Sequence, residues 1–420
     1  MNQNILTTLF VGIDVDSQFN VVYMMNFNQT KLDSFKVKND INGVTTIKNK
    51  TLEVLTKNNL STVTFVMEST SIYAFHAATF LSSDTSITKY VPKVYCINPK
   101  ITCNYRASFP DKDKNDVIDS FLLADLARVG RCDKMSTWRG AQFVALQRLT
   151  RHRKHLAQIL ANEKNYALCN IFLKFSGICT APNNESPFSD MFGVTSASIL
   201  NEFVSPEDII NTPLEDLVQL LNEKSKGKIK NTNNTAELLK QAAVNSYRLD
   251  KVSLEPINLA ITSSINCIRA YEKEIKVVSK EIEILTKGVN ETEYLSLTSI
   301  KGIGPVFAAG IIAEIGSIDQ FKNDEALAKF AGITWRHHQS GKFEAEDTPL
   351  TKTGNSYLRY YITEAANQVR KYIPEYSEFY KKKFDESTTH KEMRATILTA
   401  RKLIKLIYAV MSTRTLYKQK

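Results

Sequence analysis

Two short apolar runs, each ending on a carboxylate, constrain this chain more than any other feature. Leu9-Phe10-Val11-Gly12-Ile13 leads into Asp14, and Val63-Thr64-Phe65-Val66-Met67 leads into Glu68. Short runs rich in β-branched and aromatic residues read as buried strands. A carboxylate at the end of such a strand costs on the order of several kcal/mol unless it is paired or bound to a cation. The surrounding pattern extends a sheet. Asn20 to Met25 follows the turn Asp16-Ser17-Gln18 as a second strand, Leu32 to Val37 reads as a third, and Lys93 to Ile97 is another buried strand, stopped by Asn98-Pro99. Ile41 to Lys57 carries helical spacing (Ile41, Val44, Ile47, Leu52, Val54, Leu55), and Ser69 to Leu81 looks helical. Hairpin strands followed by strands alternating with helices predict an α/β sheet with helices on its faces.

Beyond Trp138 the pattern changes to long helices. Gln142 to Phe175 contains no Gly or Pro and repeats Leu146, Leu149, Leu156, Leu160, Ala167 and Ile171 at helical steps. Ile268, Tyr271, Ile275, Val278, Ile282 and Leu285 alternate spacings of three and four, a heptad seam on one narrow stripe. Between them, Ser176 to Asn234 is polar and loop-rich, broken by turns around short helical pieces such as Pro213 to Glu223, and it reads as an insertion at the tip of a helical hairpin. From Glu293 onward, Ile300-Lys301-Gly302-Ile303-Gly304-Pro305 sets a Gly-x-Gly turn before a helix through Ile315. That arrangement resembles a helix-hairpin-helix, in which backbone N–H groups meet a phosphate. The expected fold class is α/β plus all-α. An α/β domain covers 1–135, a helical, coiled-coil-like hairpin covers 136–290 with its insertion at about 176–234, and a helical domain covers 291–420.

Composition narrows the function. The 420 residues carry 54 Lys and Arg against 44 Asp and Glu, a net charge of +10. Residues 351–420 hold 15 basic and 6 acidic side chains, so most of the excess lies at the C-terminal end. A polyanion is the first partner to consider. Arg148, Arg151, His152, Arg153, Lys154 and His155 crowd one helical segment, and Lys381, Lys382, Lys383, Arg394, Arg401, Lys402 and Lys405 decorate the last helices. No apolar run approaches the roughly 18 residues of a membrane span, and the stretch Ile5 to Val15 lacks the basic leader of a signal peptide. The six cysteines form no C-x-x-C pair, which reads as reduced, cytoplasmic cysteine with neither a zinc site nor a disulfide framework.

The acids of the first domain carry the chemistry. Asp116 and Asp119 lie three apart at the start of an apolar helix (Phe121, Leu122, Leu123, Leu126), so both can face one side of its first turn. With Asp14 and Glu68 they would form an all-oxygen set suited to Mg²⁺ or Mn²⁺, ions able to hold the attacking and leaving oxygens of a phosphodiester. Each acid also has an ordinary structural reading, as a helix N-terminal acid or part of a cap. Asp16, Asp111 and Asp113 are nearby acids outside the set.

Phe10-Val11-Gly12-Ile13-Asp14-Val15, Val66-Met67-Glu68-Ser69-Thr70 with Tyr73, Asn98-Pro99 and Lys114-x-Asp116-x-x-Asp119 resemble the N-terminal DEDD domain of insertion-sequence-110 family transposases. Ile300-x-Gly302-Ile303-Gly304, Phe330-Ala331-Gly332-Ile333, Gln339-Ser340-Gly341, Lys352-x-Gly354-Asn355 and Leu358-Arg359 resemble that family's C-terminal domain. Departures are Ile72, Ser120, Lys301 and Trp335, none of them a proposed catalytic group. The resemblance implies an RNase H or RuvC-like first domain that binds divalent metal through Asp14, Glu68, Asp116 and Asp119. It further implies that Ser340 attacks DNA and forms a transient phosphoserine link, that donor and target DNA are chosen by pairing to a bridge RNA, and that the protein is a homo-oligomer, dimer to tetramer. A serine hydroxyl is a poor nucleophile near neutral pH and needs activation. His337 and His338 are left without a role. Two alternatives stay open, a metal nuclease that cuts branched DNA with activated water and a non-catalytic DNA-binding protein. An actin-like sugar kinase, prompted by Gly12-Ile13-Asp14, lacks a second Gly-rich phosphate loop.

Overall fold

The computed structural model describes residues 5–418 except 70–71, 110–114, 133–134, 136, 183–184, 336–338, 341–342 and 345–349, and gives the backbone alone at 339–340 and 343–344. Lys114, Thr70, Asp111, Asp113, His337, His338 and Gly341 of the motifs and acids named above lie outside the described residues. The chain divides into two compact units, residues 1–147 with 286–420 and residues 148–285.

The first unit opens with a five-stranded sheet. Its strands are β1 (Thr8–Val15), β2 (Phe19–Met25), β3 (Lys31–Lys38), β4 (Thr62–Glu68) and β5 (Lys93–Ile97), in the order β3-β2-β1-β4-β5. The first three pair antiparallel, and β4 and β5 join in parallel, as the switch from hairpin to alternating pattern predicts. Helices α1 (Ile41–Lys57), α2 (Ala74–Ser83) and α3 (Thr85–Thr88) precede β5. Asn98-Pro99 does end β5, but it also starts a helix, α4 (Pro99–Arg106), because Asn98 accepts from Lys100 N and proline suits the first turn. Helix α5 (Asp116–Arg128) follows, capped by Asn115 accepting from Ile118 N.

Strand alternation divides the core. Leu9, Val11, Ile13 and Val15 of β1 join Val63, Phe65 and Met67 of β4 in one cluster, with Val44, Ile47 and Leu55 of α1 and Ala77, Ala78 and Leu81 of α2. Phe10 and Val66 lie on the opposite face, against Leu123, Ala124 and Ala127 of α5. Gly12 faces α5 as well, and a Cβ there would lie 1.9 Å from Ser120 O and 2.6 Å from Ala124 N. The helix backbone therefore rests directly on the strand. Ser120 fits because it is small and fully buried, its hydroxyl turned back to Val117 O at 2.9 Å.

The same unit holds the start of α6 (Ala141–Lys174), the end of α12 (Lys251–Thr298), and helices α13 (Pro305–Ile315), α14 (Asp324–Ala331), α15 (Ser356–Tyr372), α16 (Pro374–Glu386) and α17 (Lys391–Thr413). Helix α12 is kinked at Asn290, whose side chain accepts from Glu293 N and caps the segment beyond. Leu297, Ile300, Ile311, Ile312, Tyr361, Ile362, Leu403 and Ile407 form the centre of this region. Gly302, in the Gly-x-Gly turn, has φ +102°, and a Cβ there would meet Val369 N at 2.6 Å. Close packing against α15 thus requires that glycine, whatever the turn does with phosphate.

In the second unit α6 and α12 run antiparallel, tied by Arg153 Nε to Ser279 Oγ at 2.8 Å and Lys164 Nζ to Glu272 Oε1 at 2.7 Å. Ile268 and Ile282 of the heptad seam are buried, while Leu285 is 40% exposed, since two helices alone cover only a narrow stripe. The insertion is more helical than its loop-rich sequence suggests, a folded helical tip in which the piece expected at Pro213 to Glu223 is one of five helices among the described residues. It consists of α7 (Ser176–Thr180), α8 (Val194–Glu202), α9 (Pro206–Asn211), α10 (Leu214–Ser225) and α11 (Thr232–Val244). Phe175, Ile199, Leu217, Leu221 and Leu239 give it a core of its own with Ile261 and Ile265 of α12. Lys174 is buried there, donating to Leu200 O at 2.6 Å, and burial lowers its pKa to about 8.

A carboxylate cluster and the ribbon that carries Ser340

Asp14 and Glu68 sit one position past Ile13 and Met67, the last residues that pair β1 with β4. Alternation puts both on the face that packs α5. The close approach of α5 at Gly12 then carries its first turn, with Asp116 and Asp119, to the same end of the sheet. Burial raises the Asp14 pKa, and the carboxylates of Asp116, Glu68 and Asp16 raise it further, to about 6, while Arg106 pulls the other way. Asp14, Glu68 and Asp116 thus share one electrostatic neighbourhood. Asp119 is differently engaged, forming an ion pair with Arg106 at the end of α4. Asp16, set aside in the sequence, does contribute to the field.

The donor chemistry fits a hard divalent ion, because these are oxygen ligands whose mutual repulsion a cation would relieve. Among the described residues, however, no three His, Cys, Asp or Glu side chains are gathered closely enough to hold a metal. Closing the set on an ion therefore requires side-chain rotation, and for Asp119 the loss of its arginine. Sequence reasoning passed over Arg106, since a cation contributed by a separate short helix leaves no periodic or motif signal.

The backbone at Ser340 forms a short ribbon, β6 (Gln339–Ser340) antiparallel to β7 (Phe343–Glu344), with Ser340 opposite Phe343. At the base of the ribbon Trp335 bridges to Leu350, and Thr351 N donates to Thr334 O at 2.8 Å. The scattered C-terminal motifs meet just below. Gly332 ends α14 at φ +70°, and a Cβ on it would strike the Arg359 guanidinium. A Cβ on Gly354 would lie 2.2 Å from Phe330 O, Asn355 N donates to Phe330 O at 2.6 Å, and Arg359 Nη1 donates to Ala331 O at 3.2 Å. Asn355 also caps α15 through Tyr357 N and Leu358 N, and its Nδ2 donates at 2.7 Å to Glu314, which is 1% exposed. These residues clamp the two ends of the ribbon to helices α13, α14 and α15.

The basic surface is partly neutralised within the fold. Arg401 pairs with Asp324 at 2.7 Å, Lys402 with Glu375 at 2.8 Å, and Lys383 with Glu386 at 2.5 Å. Those pairs position helices, and because Asp324 lies outside the last 70 residues, the Arg401 pair offsets a positive charge that their net charge still counts. No helix among the described residues is long and apolar enough to cross a membrane.

Comparison with known proteins agrees with both ends of the chain. A DEDD-type family model of the IS110 class, described as transposase, matches residues 11–171, and a second, described as transposase IS116/IS110/IS902 family, matches residues 295–381. The transposase for insertion sequence element IS1111A of Coxiella burnetii is 29% identical over 120 residues, 28% of this chain and 30% of that protein. The insertion element IS116 44.8 kDa protein of Streptomyces clavuligerus is 23% identical over 314 residues, 74% of each chain. A pilin gene-inverting protein of Moraxella lacunata is 28% identical over 180 residues, 41% of this chain and 55% of that one. The first match therefore spans under a third of its relative, whereas the IS116 match runs through most of both proteins. The two family models together cover more than half of the sequence, in order, and take in all four acids and the Ser340 ribbon. The chain belongs to the IS110 family of transposases.

Proposed function

We propose that this protein is the recombinase of an insertion sequence, breaking and rejoining DNA strands with Ser340 as the nucleophile and the Asp14, Glu68, Asp116 and Asp119 carboxylates as the metal-binding set of an RNase H-like domain. The observation that carries the reading is the convergence of Asp14, Glu68 and Asp116 from two strand ends and a helix start, seen in the raised Asp14 pKa. Relatives described as a transposase and as a pilin gene-inverting protein both rearrange DNA by name, which supports strand exchange over simple cutting.

In the reaction the Ser340 hydroxyl oxygen attacks a backbone phosphorus. A serine–phosphate ester forms, the bond to one deoxyribose oxygen breaks, and that oxygen leaves as a hydroxyl after taking up a proton. Attack by the hydroxyl of the strand to be joined reverses the step and frees the serine. Mg²⁺ or Mn²⁺ bound to the carboxylates would neutralise charge on the phosphate. The clamp of Gly332, Gly354, Asn355 and Arg359 fixes the ribbon ends, which is how a nucleophile on a loop gains a defined position. Basic side chains on α6 and α17 would hold DNA backbone without choosing sequence. Selection of donor and target DNA by a bridge RNA, assembly as a homo-oligomer, and action in the cytoplasm complete the reading.

Purified protein with Mg²⁺, the noncoding RNA flanking its gene, and donor plus target DNA should yield recombinants. Asp14→Ala and Ser340→Ala should each abolish them. Wild-type yield from Ser340→Ala, with Asp14→Ala inactive, would transfer the chemistry to metal-activated water.

A further inference from the structure

Asp119, one of the expected metal ligands, already has a cationic partner. The guanidinium of Arg106 pairs with it, and their side chains are only 23% and 19% exposed, so the pair is poorly screened. Arg106 ends α4 and Asp119 lies in the first turn of α5, so the fold brings the cation to the acid across two separate helices. Arg106 Nη1 and Asp119 Oδ1 are both buried without a hydrogen bond, so the two side chains are held together by charge. Its charge also opposes the crowding of carboxylates around Asp14. A divalent ion bound to Asp119 would offset the same negative charge. The two cations therefore compete for Asp119, in keeping with the absence of a closed ligand group among the described residues.

From this juxtaposition we propose that Arg106 is the resident counter-ion of the carboxylate set, holding Asp119 until a divalent cation displaces it. The inference rests on the metal-binding reading given above. Arg106 acts here through Asp119 and is a positioning residue. Metal binding becomes a competition, and apparent affinity is reduced by whatever the ion pair contributes. An ion pair between two half-buried side chains of this kind, worth about 1 kcal/mol, corresponds to roughly tenfold in affinity.

The test is titration of the full-length protein with Mn²⁺ alone, reading free Mn²⁺ by electron paramagnetic resonance, with circular dichroism to show that each variant is folded. Arg106→Gln should bind Mn²⁺ about tenfold tighter than wild type. Arg106→Lys, which keeps the charge but loses the planar fork, is the second variant and should gain a smaller factor. In an Asp119→Asn background, Arg106→Gln should add no further gain. Unchanged Mn²⁺ affinity in both arginine variants overturns the inference and leaves the metal reading standing. A gain that persists without Asp119 also overturns it, because the arginine would then act only as a background charge. Failure of wild type and both variants to bind Mn²⁺ at millimolar concentration would refute the metal reading and the inference together.

Discussion

Replacing Gly12 with alanine tests how the sheet and the acids are built together. The added Cβ would lie 1.9 Å from Ser120 O and 2.6 Å from Ala124 N, both backbone atoms that cannot rotate away. Ordinary contact begins near 3.4 Å, so α5 must move outward by about 1.5 Å. A gap of that size forfeits about half or more of the dispersion attraction between Phe10 and Val66 on one side and Leu123, Ala124 and Ala127 on the other. Overpacking usually costs about 1–3 kcal/mol, and rigid backbone on both sides sets this case at about 3 kcal/mol. For a unit this large that corresponds to a fall in Tm of roughly 6–12 °C. The assay is thermal denaturation by circular dichroism, with hydrogen exchange across α5 to locate the damage. Gly288→Ala is the control, because that glycine lies within α12 with no atom within 4 Å of its added Cβ. It should leave stability unchanged or raise it by about 0.5–1 kcal/mol. A Gly12→Ala protein that melts within about 2 °C of wild type, with α5 equally protected, would refute direct seating of the helix on the strand.

Two further outcomes follow from the site. The Asp14 carboxyl titrates at about 6 in the fold against an ordinary 3.8, so the native state holds its proton more tightly than the unfolded chain. Stability without divalent metal should therefore fall as pH rises from about 4 to about 6, with the full penalty standing above pH 6. Asp14→Asn should remove that penalty, on the order of 1–2 kcal/mol after solvent screening, at pH 8 and gain nothing at pH 4, measured by urea denaturation in EDTA. Asn355→Ala removes the α15 cap and a donor to buried Glu314, which should cost about 2–4 kcal/mol by the same measurement, with Trp335 fluorescence reporting the base of the ribbon.

Strands β1, β2, β4 and β5 were readable because buried strands are short apolar runs, and α1 because its apolar positions keep helical spacing. The grouping of Asp14 with Glu68 was readable for the same reason, since each ends such a run. Of the helical tip only α10 was, because the other helices are short, each offers only a few core positions, and their caps, Ser205 and Asn231 among them, look like loop residues in a polar stretch. The role of Gly302 was only half readable, since a glycine in a turn does not reveal the helix backbone pressed against it. The Arg106–Asp119 pair had no sequence signal at all, because ion pairs between separate helices follow no spacing. The clamp below Ser340 is similar. Its residues stood out by family resemblance, and only their hydrogen bonds show that they hold one another.

The central claim is that Ser340 carries the DNA during strand exchange. Its most direct measurement is mass spectrometry of the protein after denaturing quench of a recombination reaction containing Mg²⁺, the flanking RNA and both DNA substrates. A nucleotide-bearing peptide that maps to Ser340 and disappears in Ser340→Ala is the predicted result. Recombinant DNA formed with no adduct at Ser340, and formed equally by Ser340→Ala, would contradict it.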